Sequence, residues 1–182
     1  MQKRETPLPD VWFIELKVFT DDRGFFFESF QAQKFIALGI PANFVQDNFS
    51  GSKQGVLRGL HYQIQHAQGK LIQVIQGEVF DVVVDLRKSS ANFGKWMGLS
   101  LKEGDNSLLW VPPGFAHGYY VLSEWAEVFY KVTDFYAPEY ERTLLWNDPE
   151  LNIKWPIIKD SILNLSVKDA QGKLLKETDV FD

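Results

Sequence analysis

The stretch Glu78-Val79-Phe80-Asp81-Val82-Val83-Val84-Asp85-Leu86 alternates without a break: Phe80, Val82, Val84 and Leu86 fall on one side, and Val79, Asp81, Val83 and Asp85 on the other. Successive side chains of an extended chain point to opposite faces, so this period of two predicts a β-strand with one wholly apolar face. Short runs rich in β-branched and aromatic residues, punctuated by Gly, Pro, Asn or Asp, repeat the signal outward in both directions. They predict further strands at Val11–Phe19, Gly24–Ser29, Phe44–Asn48, Val56–Gln63, Lys70–Gln76, Gly94–Leu101, Ser107–Val111, Gly118–Leu122 and Ala126–Asp134.

Two segments depart from the pattern. Gln31–Gly39 holds helix formers between a cap at Ser29 or Phe30 and a terminating Gly39 before Pro41, which predicts a short helix. Ser166-Val167-Lys168-Asp169 has the spacing of a capping box, with Gly172 limiting any helix there to about one or two turns. Ten short strands with tight turns must close or stack, because an open sheet of that size leaves exposed edges. The expected fold is therefore all-β with a few short helices, a jelly-roll barrel or sandwich. With no internal repeat, low-complexity tract or linker, residues 1–182 are expected to form a single domain.

Composition narrows the function. The chain is 45% hydrophobic and 24% charged, ordinary for a globular protein, and its net charge of −5 argues against a nucleic-acid binder held by a broad basic surface. A local basic pocket for a phosphorylated small molecule stays compatible with that balance. Cysteine is absent, which excludes disulfides and thiolate chemistry and fits a reducing compartment. Basic residues at Met1–Pro7 are followed by no apolar run, and no segment has the length of a membrane span, so a cytoplasmic protein without membrane contact is expected.

Small barrels hold ligands among inward-facing side chains, which makes inward polar residues the candidates for chemistry. The three histidines are His61, His66 and His117. A His-x-His pair would suggest a metal, but position 63 is Gln63 and His66 lies past the strand, so no metal site is expected. In Val56–Gln63, alternation puts His61 with Gly59 and Gln63 on one face and Arg58 with Leu60 and Tyr62 on the other. A bulge at Gly59 would bring Arg58 and His61 to one pocket. Read from this strand alone, a satisfied core histidine and a rim arginine are the simpler account. Lys70 opens an apolar strand, where it could point to water or stand beside an oxyanion. His117 follows the rigid Pro112-Pro113-Gly114 turn. Tyr130 shares a face with Val128 and Val132 and could be a core aromatic or an acid. Asp169 could complete the capping box or hold the Nδ1 proton of a histidine.

In chain order these residues sit within motifs that resemble the dTDP-4-dehydrorhamnose 3,5-epimerase family. The motifs are DDRGFFFESF (Asp21–Phe30), FVQDNFS (Phe44–Ser50), GVLRGLHYQ (Gly55–Gln63), QGKLIQVIQGEVFDVVVDLRKSS (Gln68–Ser90), FGKW (Phe93–Trp96), VPPGFAHGY (Val111–Tyr119), WNDPELNIKWP (Trp146–Pro156) and LSVKD (Leu165–Asp169). The resemblance implies a cupin-like jelly roll that acts on a dTDP-4-keto-6-deoxy sugar without a cofactor, as a homodimer, with Val11–Phe19 as a candidate interface. It implies His61 as base, Asp169 as the partner of its imidazole, Tyr130 as acid and Lys70 beside the enolate oxygen. It implies substrate contacts from Arg23, Glu28, Gln46, Asn48, Arg58, Lys70, His117, Glu141 and Lys168, the two arginines 23 and 58 meeting the diphosphate. Gln73 departs from the family, many members of which carry a basic residue there. A carboxylate beside His61 would raise its pKa somewhat. Enzymes that invert only carbon 3 or only carbon 5 share these motifs, and a non-catalytic sugar-nucleotide-binding barrel is the alternative from a different class.

Overall fold

Alternation becomes two facing sheets. In the computed structural model, which describes residues 1–159 and 161–182, the strands are β1 (Gln2–Glu5), β2 (Trp12–Glu15), β3 (Val18–Asp21), β4 (Gly24–Phe27), β5 (Gln46–Lys53), β6 (Leu57–Gln63), β7 (Lys70–Gln76), β8 (Glu78–Asp85), β9 (Trp96–Lys102), β10 (Ser107–Val111), β11 (Phe115–Val121), β12 (Trp125–Val132) and β13 (Glu141–Thr143). Two short helices, α1 (Ala32–Ala37) and α2 (Val167–Ala170), complete the regular structure together with two 3-10 turns. One sheet runs β1-β2-β10-β7-β12-β5 and the other β13-β6-β11-β8-β9, while among the described residues β3 and β4 pair only with each other. Within this, β5-β12-β7-β10 faces β6-β11-β8-β9, the strand order of a jelly roll.

The two faces of β8 have different fates. Val79 and Val83 enter the core between the sheets, with Ile72, Val74, Leu109, Tyr119 and Val128. Val82, Val84 and Leu86 pack outward under the C-terminal segment, against Leu144, Leu151, Ile153 and Leu175. Both faces of the strand are thus covered, and each fully buried Val or Leu contributes roughly 1.5–3 kcal/mol. A third cluster, built on Ile14, Leu16, Leu71, Leu108 and Trp110, is capped by Phe35 of α1, which has no solvent exposure.

Several expected boundaries move. Val11–Phe19 is not one strand: β2 ends at Glu15, the Leu16 amide bonds the Asn106 carbonyl, and the chain then leaves the sheet as the β3–β4 hairpin. Val11, Ile14 and Leu16 are buried within their own chain, so any interface from this segment rests on its exposed end, Lys17 and Phe19. The cap of α1 is Gln31, whose side chain accepts from the Lys34 amide, rather than Ser29 or Phe30. β1 is too polar and β13 too short for either to show in hydrophobic patterning. Among the described residues no helix is long and apolar enough to cross a membrane.

Candidate active site

The site begins with a bulge. β6 pairs with β11 through His61 opposite His117 and Arg58 opposite Tyr119, so Gly59 and Leu60 together face the single residue Gly118. Cross-strand partners share a face, and His117 and Tyr119 are two residues apart on β11, so Arg58 and His61 point to the same side. Simple alternation separates them; the extra residue reunites them. Gly59 has φ +120, and a Cβ there would lie 2.6 Å from Gly118 Cα and 2.8 Å from the His117 carbonyl oxygen. Only a residue without a side chain lets the two backbones approach this closely.

His61 Nε2 lies 2.5 Å from Asp169 Oδ1. The aspartate comes from α2, where its amide donates to the Ser166 hydroxyl that caps the helix, and its Oδ2 accepts from the same hydroxyl at 2.8 Å. Helix cap and histidine partner are therefore one arrangement: Ser166 secures the carboxylate that meets the ring. Contact is through Nε2, not the expected Nδ1. With a carboxylate accepting at Nε2, the neutral ring carries its proton there and leaves the Nδ1 lone pair free. Burial pushes the imidazole below its ordinary value, further than the Asp169 bond and charge restore it, and Lys168 and Lys70 add to the fall. The expected upward shift is thus reversed, because desolvation outweighs the carboxylate. For Asp169, burial acts upward, but the bonds and charge of His61, with Ser166 and the Gly59 amide, hold it below the usual carboxylate range.

His61 opens on a cavity of about 350 Å³ between the two sheets, lined also by Gln46, Asn48, Lys70, Tyr130, Tyr136, Glu141 and Lys168. The register explains this convergence. Tyr130 pairs with Asn48 on one side and Ile72 on the other, while Val132 pairs with Gln46 and Lys70, which puts these polar side chains on the inner face of one sheet. His61 faces them from the other. Burial pushes the Tyr130 hydroxyl up, so it stays protonated at neutral pH. Lys70 is lowered to about 8 by burial, with Asp81 and Glu141 acting upward and Lys168 downward. Its ammonium lies 3.3 Å from the His61 carbonyl oxygen. Lys168 Nζ and the Tyr136 hydroxyl both donate to Glu141, at 2.8 Å each.

Four expected site residues lie elsewhere. Arg23 and Glu28 are outside this cavity: Arg23 sits at the tip of the β3–β4 hairpin, bonded to Asp21, and Glu28 pairs with Lys34. The hairpin has left the barrel, which is why residues from its motif do not reach the site of their own chain. Arg58 is exposed beside the cavity, its Nε donating to Ser52 Oγ at 3.0 Å and its charge acting on Tyr130. His117 is 8% exposed, beside His61 on the neighbouring β11 but outside the cavity lining, with Nε2 at 2.8 Å from Asp81 Oδ2. His66 is an exposed loop residue, as expected.

Sequence reading passed over Tyr136, whose place depends on two glutamines. The buried Gln63 donates to the His66 and Phe135 carbonyls and accepts from the Ala137 amide; Gln46 accepts from the Tyr136 amide. Together they fix the loop after β12 over the cavity mouth. No local motif marks this, since the bonds to that loop join residues more than 70 positions apart.

The chain is similar to known proteins along nearly its whole length. The family model described as dTDP-4-dehydrorhamnose 3,5-epimerase matches residues 5–177. A dTDP-4-dehydrorhamnose 3,5-epimerase of Pseudomonas aeruginosa is 56% identical, the match covering 100% of this chain and 99% of the relative. A Legionella pneumophila 3,5-epimerase solved with dTDP-4-keto-L-rhamnose superposes with a TM-score of 0.94 at 50% identity, over 98% of this chain and 94% of that one. More distant, a double mutant of a 3'-monoepimerase from Streptomyces bikiniensis, solved with dTDP, gives 0.87 at 29% identity, over 94% and 86%.

Proposed function

The chain belongs to the dTDP-4-dehydrorhamnose 3,5-epimerase family and is an epimerase of that class, and from that premise we propose how its residues invert carbons 3 and 5 of dTDP-4-dehydro-6-deoxy-D-glucose. The ketone at carbon 4 acidifies the hydrogens on both neighbours. His61 Nδ1 takes one of these protons; the C–H electrons move to the carbon 4 oxygen and make an enolate. Lys70 balances that charge in a site screened from water. Tyr130 then gives its hydroxyl proton to the opposite side of the same carbon, and the enolate collapses to the ketone with inverted configuration. Water returns a proton to the phenolate and removes one from the imidazolium. The cycle repeats at the second carbon.

One observation carries this reading: a neutral imidazole and a protonated phenol stand on facing sheets across a single cavity, which the half-buried Lys70, on the strand beside the phenol, also lines. A base and an acid on opposite sides of one ring are what inversion requires. Gln46, Asn48, Glu141 and Lys168 bind the sugar nucleotide at the mouth.

Arg23 and Glu28 fit the same reading if they serve a second copy of the chain. Their hairpin exposes Phe19, Phe25 and Phe26, at 53%, 70% and 68%, a cost in water that a partner would remove. We therefore assign the working form as a homodimer in which each hairpin brings Arg23 toward the diphosphate in the partner's cavity.

Incubation with the 4-keto sugar nucleotide in deuterium oxide tests the reaction. Deuterium at carbons 3 and 5 is expected. Label at one carbon alone makes the chain a mono-epimerase, and label at neither defeats the catalytic reading.

A further inference from the structure

Most charged groups around the cavity are already matched: Asp169 with His61, and Glu141 with Lys168. Lys70 has only a carbonyl as its hydrogen-bond partner among the described residues. Asp81 presents the complementary problem. It stands on β8 between Val79 and Val83, which enter the inter-sheet core, as do Ile72 and Val74 that follow Lys70 on the facing β7. It has no solvent exposure, and while Oδ2 is held by His117 Nε2 at 2.8 Å, Oδ1 has no partner among the described residues. A buried carboxylate with a free oxygen is costly unless a cation stands near it.

We propose that Asp81 is a positioning residue, a carboxylate oriented by His117 behind the cavity wall whose charge keeps the facing Lys70 protonated and able to stabilise the enolate. This rests on the reading of Lys70 given above. The titratable or charged groups facing Lys70 are His61 on β6, Asp81 on β8, His117 on β11, Tyr130 on β12, Glu141 on β13 and Lys168 on α2. Burial and Lys168 act against its charge; Asp81 acts for it most strongly, followed by Glu141, which Lys168 already neutralises in part. Removing a unit charge in such a setting moves a titration by roughly one unit, which would take the charged fraction of Lys70 at pH 7 from about nine-tenths to about half.

NMR titration of protein labelled with ¹³C at the lysine ε carbons tests this directly, the Lys70 signal being the one lost in Lys70→Arg. In Asp81→Asn its midpoint should fall by roughly one unit. An unchanged or higher midpoint overturns the proposal. Asp81→Ser provides a second uncharged variant should the first fail to fold. In turnover, Asp81→Asn should move the basic limb of the pH profile downward by a similar amount, but adding it to Lys70→Arg, whose guanidinium does not titrate, should leave the limb in place. A limb that moves in both backgrounds means Asp81 does not act through Lys70. The NMR midpoint needs no turnover, so a failure of the epimerase reading would be seen separately.

Discussion

Replacing Gly59 with alanine probes the feature on which the site depends. The added Cβ would sit 2.6 Å from Gly118 Cα and 2.8 Å from the His117 carbonyl oxygen, both backbone atoms that cannot rotate aside. Overpacking of that kind costs about 1–3 kcal/mol, and holding an L-residue at φ +120 costs about 1–2 kcal/mol more. The expected loss is about 2–5 kcal/mol, a large share of the roughly 5–15 kcal/mol that keeps a domain folded. At about 2–4 °C per kcal/mol for a chain of this size, Gly59→Ala should melt roughly 10 °C lower. Gly104→Ala is the matched control: its φ is +82, but nothing lies within 4 Å of the new atom, so it should lose only the conformational part, about 1–2 kcal/mol. Calorimetric melting and the deuterium-exchange rate of both variants decide the matter. Should Gly59→Ala melt no lower than Gly104→Ala and exchange as fast as the parent, the close backbone approach is not what sets the Arg58 and His61 register.

Other consequences are as direct. Asp169→Asn removes the carboxylate that fixes the His61 tautomer and stabilises the imidazolium; a pair about 4 Å apart at an effective dielectric near 20 is worth about 4 kcal/mol, so exchange at pH 7 should slow roughly 10³-fold. A loss below about tenfold would show that the ring needs no such partner. Tyr130→Phe should retain label exchange from the face that His61 serves while completed inversion drops at least about 10²-fold; equal loss of both steps would remove tyrosine from its role. Stability should fall on acidification in two stages. His61 is held below its ordinary value of 6.5, so the folded state resists the proton that the unfolded chain accepts, and stability declines from about that pH downward. Asp169 is held below 3.8, so the stability it contributes is present above that value and lost as pH falls through its folded pKa. Urea unfolding between pH 7.5 and 4 should show the first stage in the parent and a flatter profile in His61→Asn. Finally, mixing refolded Arg23→Ala with His61→Asn, each inactive alone, should restore activity if the arginine acts in a partner's cavity; no restoration would place Arg23 outside the site.

Local pattern and tertiary structure contributed different things. A period of two is a property of neighbouring residues, so the β character of the chain, the two faces of Glu78–Leu86 and the capped turn at Ser166 could all be read from sequence. So could the residue types suited to the chemistry, and their motifs carried the family. What the sequence did not contain was distance. His61 and Asp169 are 108 positions apart, and the nitrogen that meets the carboxylate is fixed by where α2 docks against β6. The bulge at Gly59 depends on β11 lying alongside, and the loop carrying Tyr136 on two glutamines from other strands. The direction of the His61 shift turned on burial, which belongs to no residue but to the way two sheets close over it. By the same logic Arg23, prominent in its motif, left its own cavity because, among the described residues, the hairpin pairs only with itself. Local periodicity set the faces of the regular strands, the bulged β6 excepted; only packing decided which faces meet.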